Sequence, residues 1–173
     1  MSAIYVRVAS PAELRSLTPH LAEVLVDCVE GGASVSFMAP YSLTEATAFW
    51  ERIAAAAERG EVSVIVGGLN DEVSGTVQIA FDMPSNQPHR AEIRKLLVHR
   101  RARRQGLGRA LMDAAEREGI ARGKSLLCLD TASGAAERLY ADAGWTRVGV
   151  IPDYALWPGG GFCDTTIFYK RLI

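Results

Sequence analysis

The sequence is poor in everything that would staple, anchor or target it. Cysteine occurs three times, at Cys28, Cys128 and Cys163, widely spaced and odd in number. There is no CxxC pair and no Cys/His ligand spacing, so neither a disulfide framework nor a metal site is expected. Reduced thiols follow, with Cys28 and Cys128 in apolar runs that read as core. No apolar run approaches the roughly 20 residues of a membrane span. No basic segment followed by an apolar run opens the sequence, so no signal peptide is expected and the expected location is cytoplasmic. An excess of one charge is missing too. Lys and Arg number 19 against 20 Asp and Glu, a net charge of −1, which gives no bulk attraction to nucleic acid or to a membrane surface. Repeats, low-complexity tracts and linkers do not occur, and 173 residues suit one domain spanning 1–173.

What is present is a legible succession of strands and helices. Residues 4–8 alternate as a strand. Ser10-Pro11-Ala12-Glu13 combines an N-cap, a proline at the first helical position and a reaching glutamate. Leu14, Leu17, Leu21, Val24, Leu25 and Cys28 follow at helical spacing, with Thr18-Pro19 expected to restart the helix and Gly31-Gly32 to end it. Ser42-Leu43-Thr44-Glu45 is a second capping box; Leu43, Ala46, Trp50, Ile53 and Ala57 form one face of its helix, and Gly60 closes it. Residues 62–66 and 73–81 alternate as an antiparallel hairpin turned at 67–71. A strand over 91–98, a helix over 106–122 and a short buried strand over 125–130 form a βαβ unit. That unit predicts parallel strands and a right-handed crossover. A helix over 134–143 and strands over 145–151 and 165–170 complete the chain. The fold class is α/β (α+β): a mixed sheet, antiparallel at first and parallel in the middle, flanked by helices.

The passage from Leu96 to Leu111 carries the first functional signal. Arg103-Arg104-Gln105-Gly106-Leu107-Gly108-Arg109-Ala110 links a strand to a helix. Glycines allow a close backbone approach and positive φ, and the first helical turn offers unpaired N–H donors at the positive end of the dipole. Together they suit a pyrophosphate. The Gly-Lys-Ser/Thr of a Walker A loop is missing, and Leu111 stands where a dinucleotide fingerprint needs its third glycine. Arg100, Arg101, Arg103, Arg104 and Arg109 crowd the same stretch and suit the pyrophosphate and 3′-phosphate of CoA.

These residues resemble a family. Leu96-Leu97-Val98 followed by Arg103 to Ala110 is similar to the acetyl-CoA signature of the GNAT acetyltransferase superfamily, and Ala135-Ala136-Glu137-Arg138-Leu139-Tyr140 with Gly144-Trp145 matches a second segment of it. His89-Arg90-Ala91-Glu92-Ile93-Arg94-Lys95-Leu96, Leu129-Asp130-Thr131, Pro152-Asp153-Tyr154 and Tyr169-Lys170 resemble the tabtoxin-resistance acetyltransferase branch. Two positions depart from the superfamily pattern. Ser133 stands near the place where many members carry an Asn on the cofactor, and His99-Arg100 replaces a common His-Pro or Asp-Pro.

The resemblance implies a mixed, mostly antiparallel sheet with a central parallel cofactor unit, and direct acetyl transfer from acetyl-CoA to an amine or, less often, a hydroxyl. Such chemistry needs a base for an amine of pKa ~10, a donor for the oxyanion and a proton for the leaving thiolate. Glu92, at the start of the strand leading into the loop, is the base candidate. Asp130, at the carboxyl end of a parallel strand, is a second base or the partner of the acceptor's ammonium; two carboxylates close together would raise one pKa. Tyr140 is the acid candidate. Cofactor contacts are expected from Leu96, Leu97, Val98, Arg103, Arg104, Gln105, Gly106, Leu107, Gly108, Arg109 and Ser133. The backbone N–H groups of Leu97 and Val98 are assigned to the oxyanion and pantetheine, with a bulge permitted at Leu96-Leu97-Val98. The expected acceptor walls are residues 33–41 and 154–163, with Phe37, Tyr154 and Trp157 facing the substrate. The expected partner is a small-molecule amine, with no nucleic acid and no membrane; a homodimer is compatible with the sequence. A protein lysine or N-terminal acetyltransferase and a non-catalytic acyl-CoA-binding sensor are the alternatives.

Overall fold

The computed structural model describes residues 3–132 and 134–172. Its elements run β1 (Ile4–Ala9), α1 (Pro11–Glu30), α2 (Leu43–Glu58), β2 (Val62–Leu69), β3 (Glu72–Ala80), β4 (Arg90–Val98), a 3-10 turn (Arg100–Ala102), α3 (Leu107–Ala121), β5 (Leu126–Thr131), α4 (Gly134–Asp142), β6 (Thr146–Leu156) and β7 (Phe162–Arg171). The strands form one sheet in the order β1-β2-β3-β4-β5-β7-β6. β4 and β5 are parallel, and every other neighbouring pair is antiparallel. This is the mixed sheet that the sequence predicts. Among the described residues, no helix is long and apolar enough to cross a membrane.

Both capping boxes form. Ser10 Oγ accepts from the Glu13 N–H at 3.3 Å while Glu13 Oε2 accepts from the Ser10 N–H at 2.8 Å; Ser42 and Glu45 do the same at 3.2 and 2.9 Å. α1 does not restart at Pro19 but runs straight through it. Its buried stripe of Leu14, Leu21, Val24, Leu25 and Cys28 outweighs the one lost hydrogen bond, and buried Thr18 bonds back to the Leu14 carbonyl at 2.9 Å. The β2–β3 turn narrows to Asn70-Asp71, both at positive φ (52° and 67°), which short Asx side chains tolerate. β6 and β7 are longer than expected and take in half of the predicted 154–163 loop.

Helices α1 and α2 cover one face of the sheet, where Leu25, Trp50, Val64, Val66 and Leu97 pack. Helices α3 and α4 cover the other, over Ile65, Ile79, Ile93, Leu111, Leu127 and Phe168. Cys28 and Cys163 are buried, whereas Cys128 is only half-buried and joins neither core. That corrects its reading as core: it alternates with the inward-facing Leu127 and Leu129.

One irregularity shapes the rest. β3 and β4 pair Ile79 with Ile93 and Gln78 with Arg94, and then Thr76 with Leu97, so Val77 is opposed by both Lys95 and Leu96. This is a β-bulge, with Lys95 at φ 51°. It inverts the strand. Ile93 and Leu97 are four apart and should share a face, yet Ile93 lies in the α3/α4 core and Leu97 in the α1/α2 core. The bulge lies at Lys95-Leu96, slightly before the Leu96-Leu97-Val98 position expected. β4 and β5 pair only through Arg90, Ala91 and Glu92; beyond that the two strands part and leave a cleft.

The first turn of α3 is seated on this sheet through Leu107, which is 1 % exposed. A side chain at Gly75 of β3 would stand 3.0 Å from Leu107 Cδ2, so β3 offers bare backbone as the seat. Leu107→Ala should therefore lower the unfolding free energy by about 2–5 kcal/mol, read from the urea midpoint. An unchanged midpoint would show that α3 is held elsewhere.

Candidate active site

The cleft between β4 and β5 encloses about 830 Å³. It runs from the N-terminus of α3, past Leu96, Leu97 and Val98, to Lys95, Asp130, Tyr154 and Trp157 at its far end.

At the α3 end, Gly106 is the N-cap in left-handed conformation (φ 87°), with no side chain capping the helix. Arg104 is also left-handed (φ 60°). Left-handed residues near a helix start turn successive N–H groups toward one concavity, and the first-turn donors stay open for an anion. A Cβ at Gly108 would meet only Leu139 Cδ2 at 3.6 Å and Val98 Cγ2 at 3.9 Å, both cleft residues. The protein alone thus tolerates a side chain there; a molecule lying along the cleft would not.

The five arginines are not one phosphate cluster. Arg100 donates to Asp27 Oδ1 (2.8 Å), Arg101 to Glu72 (2.7 Å) and Arg109 to Asp113 (2.8 Å). Arg103 and Arg104 have no carboxylate partner among the described residues, and with Arg109 they line the cleft. Arg103 donates to the Val98 carbonyl at 2.9 Å. Gln105 does not reach the cleft; its amide bonds to the Arg101 carbonyl at 3.1 Å. The Leu107 side chain is core, so only its backbone serves the loop. Ser133 lies outside the described residues. Of the two N–H groups assigned to the oxyanion, Val98 faces the cleft. The His99 N–H bonds to Ser74 of β3 at 2.8 Å, and alternation turns Val98 away from β3 and Leu97 toward it.

The far end holds the charged groups. Asp130 Oδ2 accepts from Thr165 Oγ1 at 2.8 Å. Tyr140 is 5 % exposed and packs against Phe168 and Trp145, with ring centroids 5.6 and 6.0 Å away. Burial, and then the negative charge of Asp130, raise its pKa above the usual phenol value. Tyr154 and Trp157 line the cleft. Phe37 does not; its ring packs on Tyr41 (4.6 Å) and Phe49 (5.2 Å).

Glu92 is placed differently from Asp130. It is not among the residues lining the cleft. Its carboxylate accepts from Arg90 Nη1 at 2.8 Å and from Arg94 at 2.8 and 3.1 Å. Burial pushes its pKa up, but the two arginines outweigh that and leave it below the ordinary glutamate value. The lift expected from neighbouring carboxylates is therefore reversed at Glu92.

The cleft also contains residues that sequence reasoning missed. Lys95, Ser36 and Thr165 line it. Lys95 Nζ donates to Ser36 Oγ at 2.9 Å. A lysine directly before the apolar run Leu96-Leu97-Val98 was the available signal. The two expected acceptor walls are also joined: Ala39 N–H donates to Pro158 O at 2.9 Å and Ser34 Oγ to Leu156 O at 3.4 Å.

A splayed parallel pair beside an uncapped, glycine-entered helix makes a cleft with an open anion site at one end. The Acetyltransferase (GNAT) family model matches residues 32–145, and the chain belongs to that family, whose members take an acetyl group from acetyl-CoA. Solved structures share the whole fold. A phosphinothricin acetyltransferase from Sinorhizobium meliloti, in complex with AcCoA, is 21% identical at a TM-score of 0.78, covering 98% of this chain and 88% of that one. Ribosomal-protein-alanine N-acetyltransferase from Brucella melitensis is 21% identical at 0.77, covering 97% and 99%. An N-acetyltransferase from Staphylococcus aureus Mu50 is 17% identical at 0.81, covering 99% and 100%.

Gly108→Ala separates binding from folding. Alanine favours the helix by up to about 1 kcal/mol, so the melting temperature should not fall, while CoA affinity by calorimetry should weaken by at least about tenfold. Unaltered affinity would show that the pyrophosphate does not pass Gly108.

Proposed function

We propose that the chain transfers an acetyl group from acetyl-CoA to the amine of a small molecule, such as a toxin, an antibiotic or an amino-acid-like compound, by direct attack in a ternary complex. The observation that carries the small-molecule reading is the bridge between the α1–α2 connection and the β6–β7 turn. It turns the acceptor end into a pit walled on two sides, and a pit suits a compact molecule better than a peptide that must pass through.

Acetyl-CoA would supply an activated thioester carbonyl; the open N–H groups at Gly106 to Arg109, with Arg103 and Arg104, fit its phosphates. Asp130 meets the acceptor's amine, takes the proton that the nitrogen sheds as it bonds to the carbonyl carbon, and directs that nitrogen along the cleft. The Val98 N–H faces the place where the carbonyl oxygen gathers charge. Tyr140, kept protonated by burial and by Asp130, holds a proton for the departing thiolate. Glu92, clamped and outside the cleft, acts on this geometry through Arg94, which does line it.

Two measurements test the assignment. Asp130→Asn should lower kcat/KM by about 10²-fold with acetyl-CoA affinity unchanged, and Glu92→Gln should cost less; the reverse ranking would return the base to Glu92. The second is a pH profile. Glu92, held low by Arg90 and Arg94, is ionised throughout the neutral range and gives no inflection there. The value of kcat/KM should climb with pH toward the pKa of the acceptor amine, ~10. An inflection near neutrality would show a base that Arg90 and Arg94 do not hold down. A thiol-release screen separates the alternatives: turnover of lysine peptides but not small amines would favour a protein acceptor, and binding of acetyl-CoA without any turnover would indicate a sensor.

A further inference from the structure

We propose that Lys95 is the anion-recognising residue of the acceptor pit, so that the acceptor is a small zwitterion whose amine faces Asp130 and whose carboxylate, or similar anion, faces Lys95. This deepens the acetyltransferase reading and rests on it.

The first argument is the direction of the side chain. In an unbroken strand Lys95 would follow Ala91 and Ile93 into the α3/α4 core. The bulge turns it out to line the cleft instead. The second is backbone strain. Lys95 (φ 51°) and its partner Ser36 (φ 80°) are both non-glycine residues in the left-handed region, a conformation that side chains disfavour. Two strained residues, 59 positions apart, are joined by one side-chain bond.

The third argument is charge. Burial lowers the Lys95 pKa, and the charge of Asp130 across the pit partly offsets this. Among the described residues Lys95 is in ion-pair contact with no carboxylate, whereas its neighbour Arg94 is matched by Glu92 and Asp82. An ammonium has three donors. Ser36 takes one, and the Phe37 ring, with its centroid 5.7 Å from Nζ, supports the cation from one side. Two donors remain for the oxygens of a carboxylate. With Asp130 and Lys95 both lining the pit, its charge pattern complements a zwitterion.

The test compares the common α-amino acids with their α-carboxamides as acceptors, using thiol release with saturating acetyl-CoA. The wild type should prefer acid to amide by roughly 10- to 100-fold in KM, the worth of a hydrogen-bonded charge pair. Lys95→Gln should bring that ratio toward one with the KM for acetyl-CoA little moved, and Lys95→Arg should keep part of it. Equal use of acid and amide by the wild type, or acetylation only of amines lacking a carboxylate, overturns the proposal while leaving the acetyltransferase reading intact. So does an unaltered acid-to-amide ratio in Lys95→Gln. If no compound of either kind releases thiol although acetyl-CoA binds, the zwitterion proposal falls, and the acetyltransferase reading falls with it only when the wider amine and peptide screen is also silent. The wild-type ratio needs no variant, so a poorly folding Lys95→Gln protein does not blunt the test.

Discussion

The bulge at Lys95-Leu96 is the constraint on which the cleft depends. Two residues of β4 are set against Val77 alone, and the strand changes faces in the middle of the sheet. Before the bulge it belongs to the α3/α4 core through Ala91 and Ile93; after it, Leu97 belongs to the α1/α2 core. β5 does not follow, and its pairing with β4 stops at Glu92 and Cys128. A parallel sheet that stays closed would offer ligands only its rim. Here the sheet opens along its length, and Val98 presents its backbone to the opening.

The electrostatics of the site follow from which charges are matched and which are not. Glu92 sits between two arginines and is held ionised. Asp27 is likewise matched; burial pushes its pKa up, but bonds from Arg100 outweigh that and keep the carboxyl low, fixing the start of the phosphate loop against α1. Arg103, Arg104, Lys95 and Asp130 line the cleft outside these matched pairs. A protein can leave such groups half-buried at modest cost when a ligand supplies the counter-charge.

Much of the fold was legible because local signals agreed. The capping boxes at Ser10 and Ser42, the glycine-entered helix after β4 and the alternation of β2 and β3 each point to what forms. Misreadings arose where tertiary context outweighed a local rule. Pro19 did not interrupt α1, because the buried stripe held both sides of it in one helix. Of the candidate site, the left-handed start of α3 was legible in Gly106, since backbone conformation is written in glycine. The acceptor end was not. Phe37 is an ordinary exposed-loop aromatic by sequence and a packing residue in the fold. Lys95 follows Arg94 in the sequence, and nothing in that pattern records the bulge that turns it to the cleft. Whether Glu92 or Asp130 meets the cleft depends on where β4 and β5 part, which no pattern within either strand records.

The hydrogen bond between Ala39 and Pro158 ties together chain segments far apart in sequence. Both segments project from the framework that holds α3 and the β4 edge. On the proposed function, donor recognition sits at the start of α3, and the outer walls of the acceptor pit sit on the two tied segments, beside Lys95 and Asp130 of the sheet. Descendants of such a protein could exchange one acceptor for another by changing the two tied segments together, without touching Gly106 or Gly108. A change in one segment alone would displace the other, so successful divergence should appear as paired substitutions across that tie.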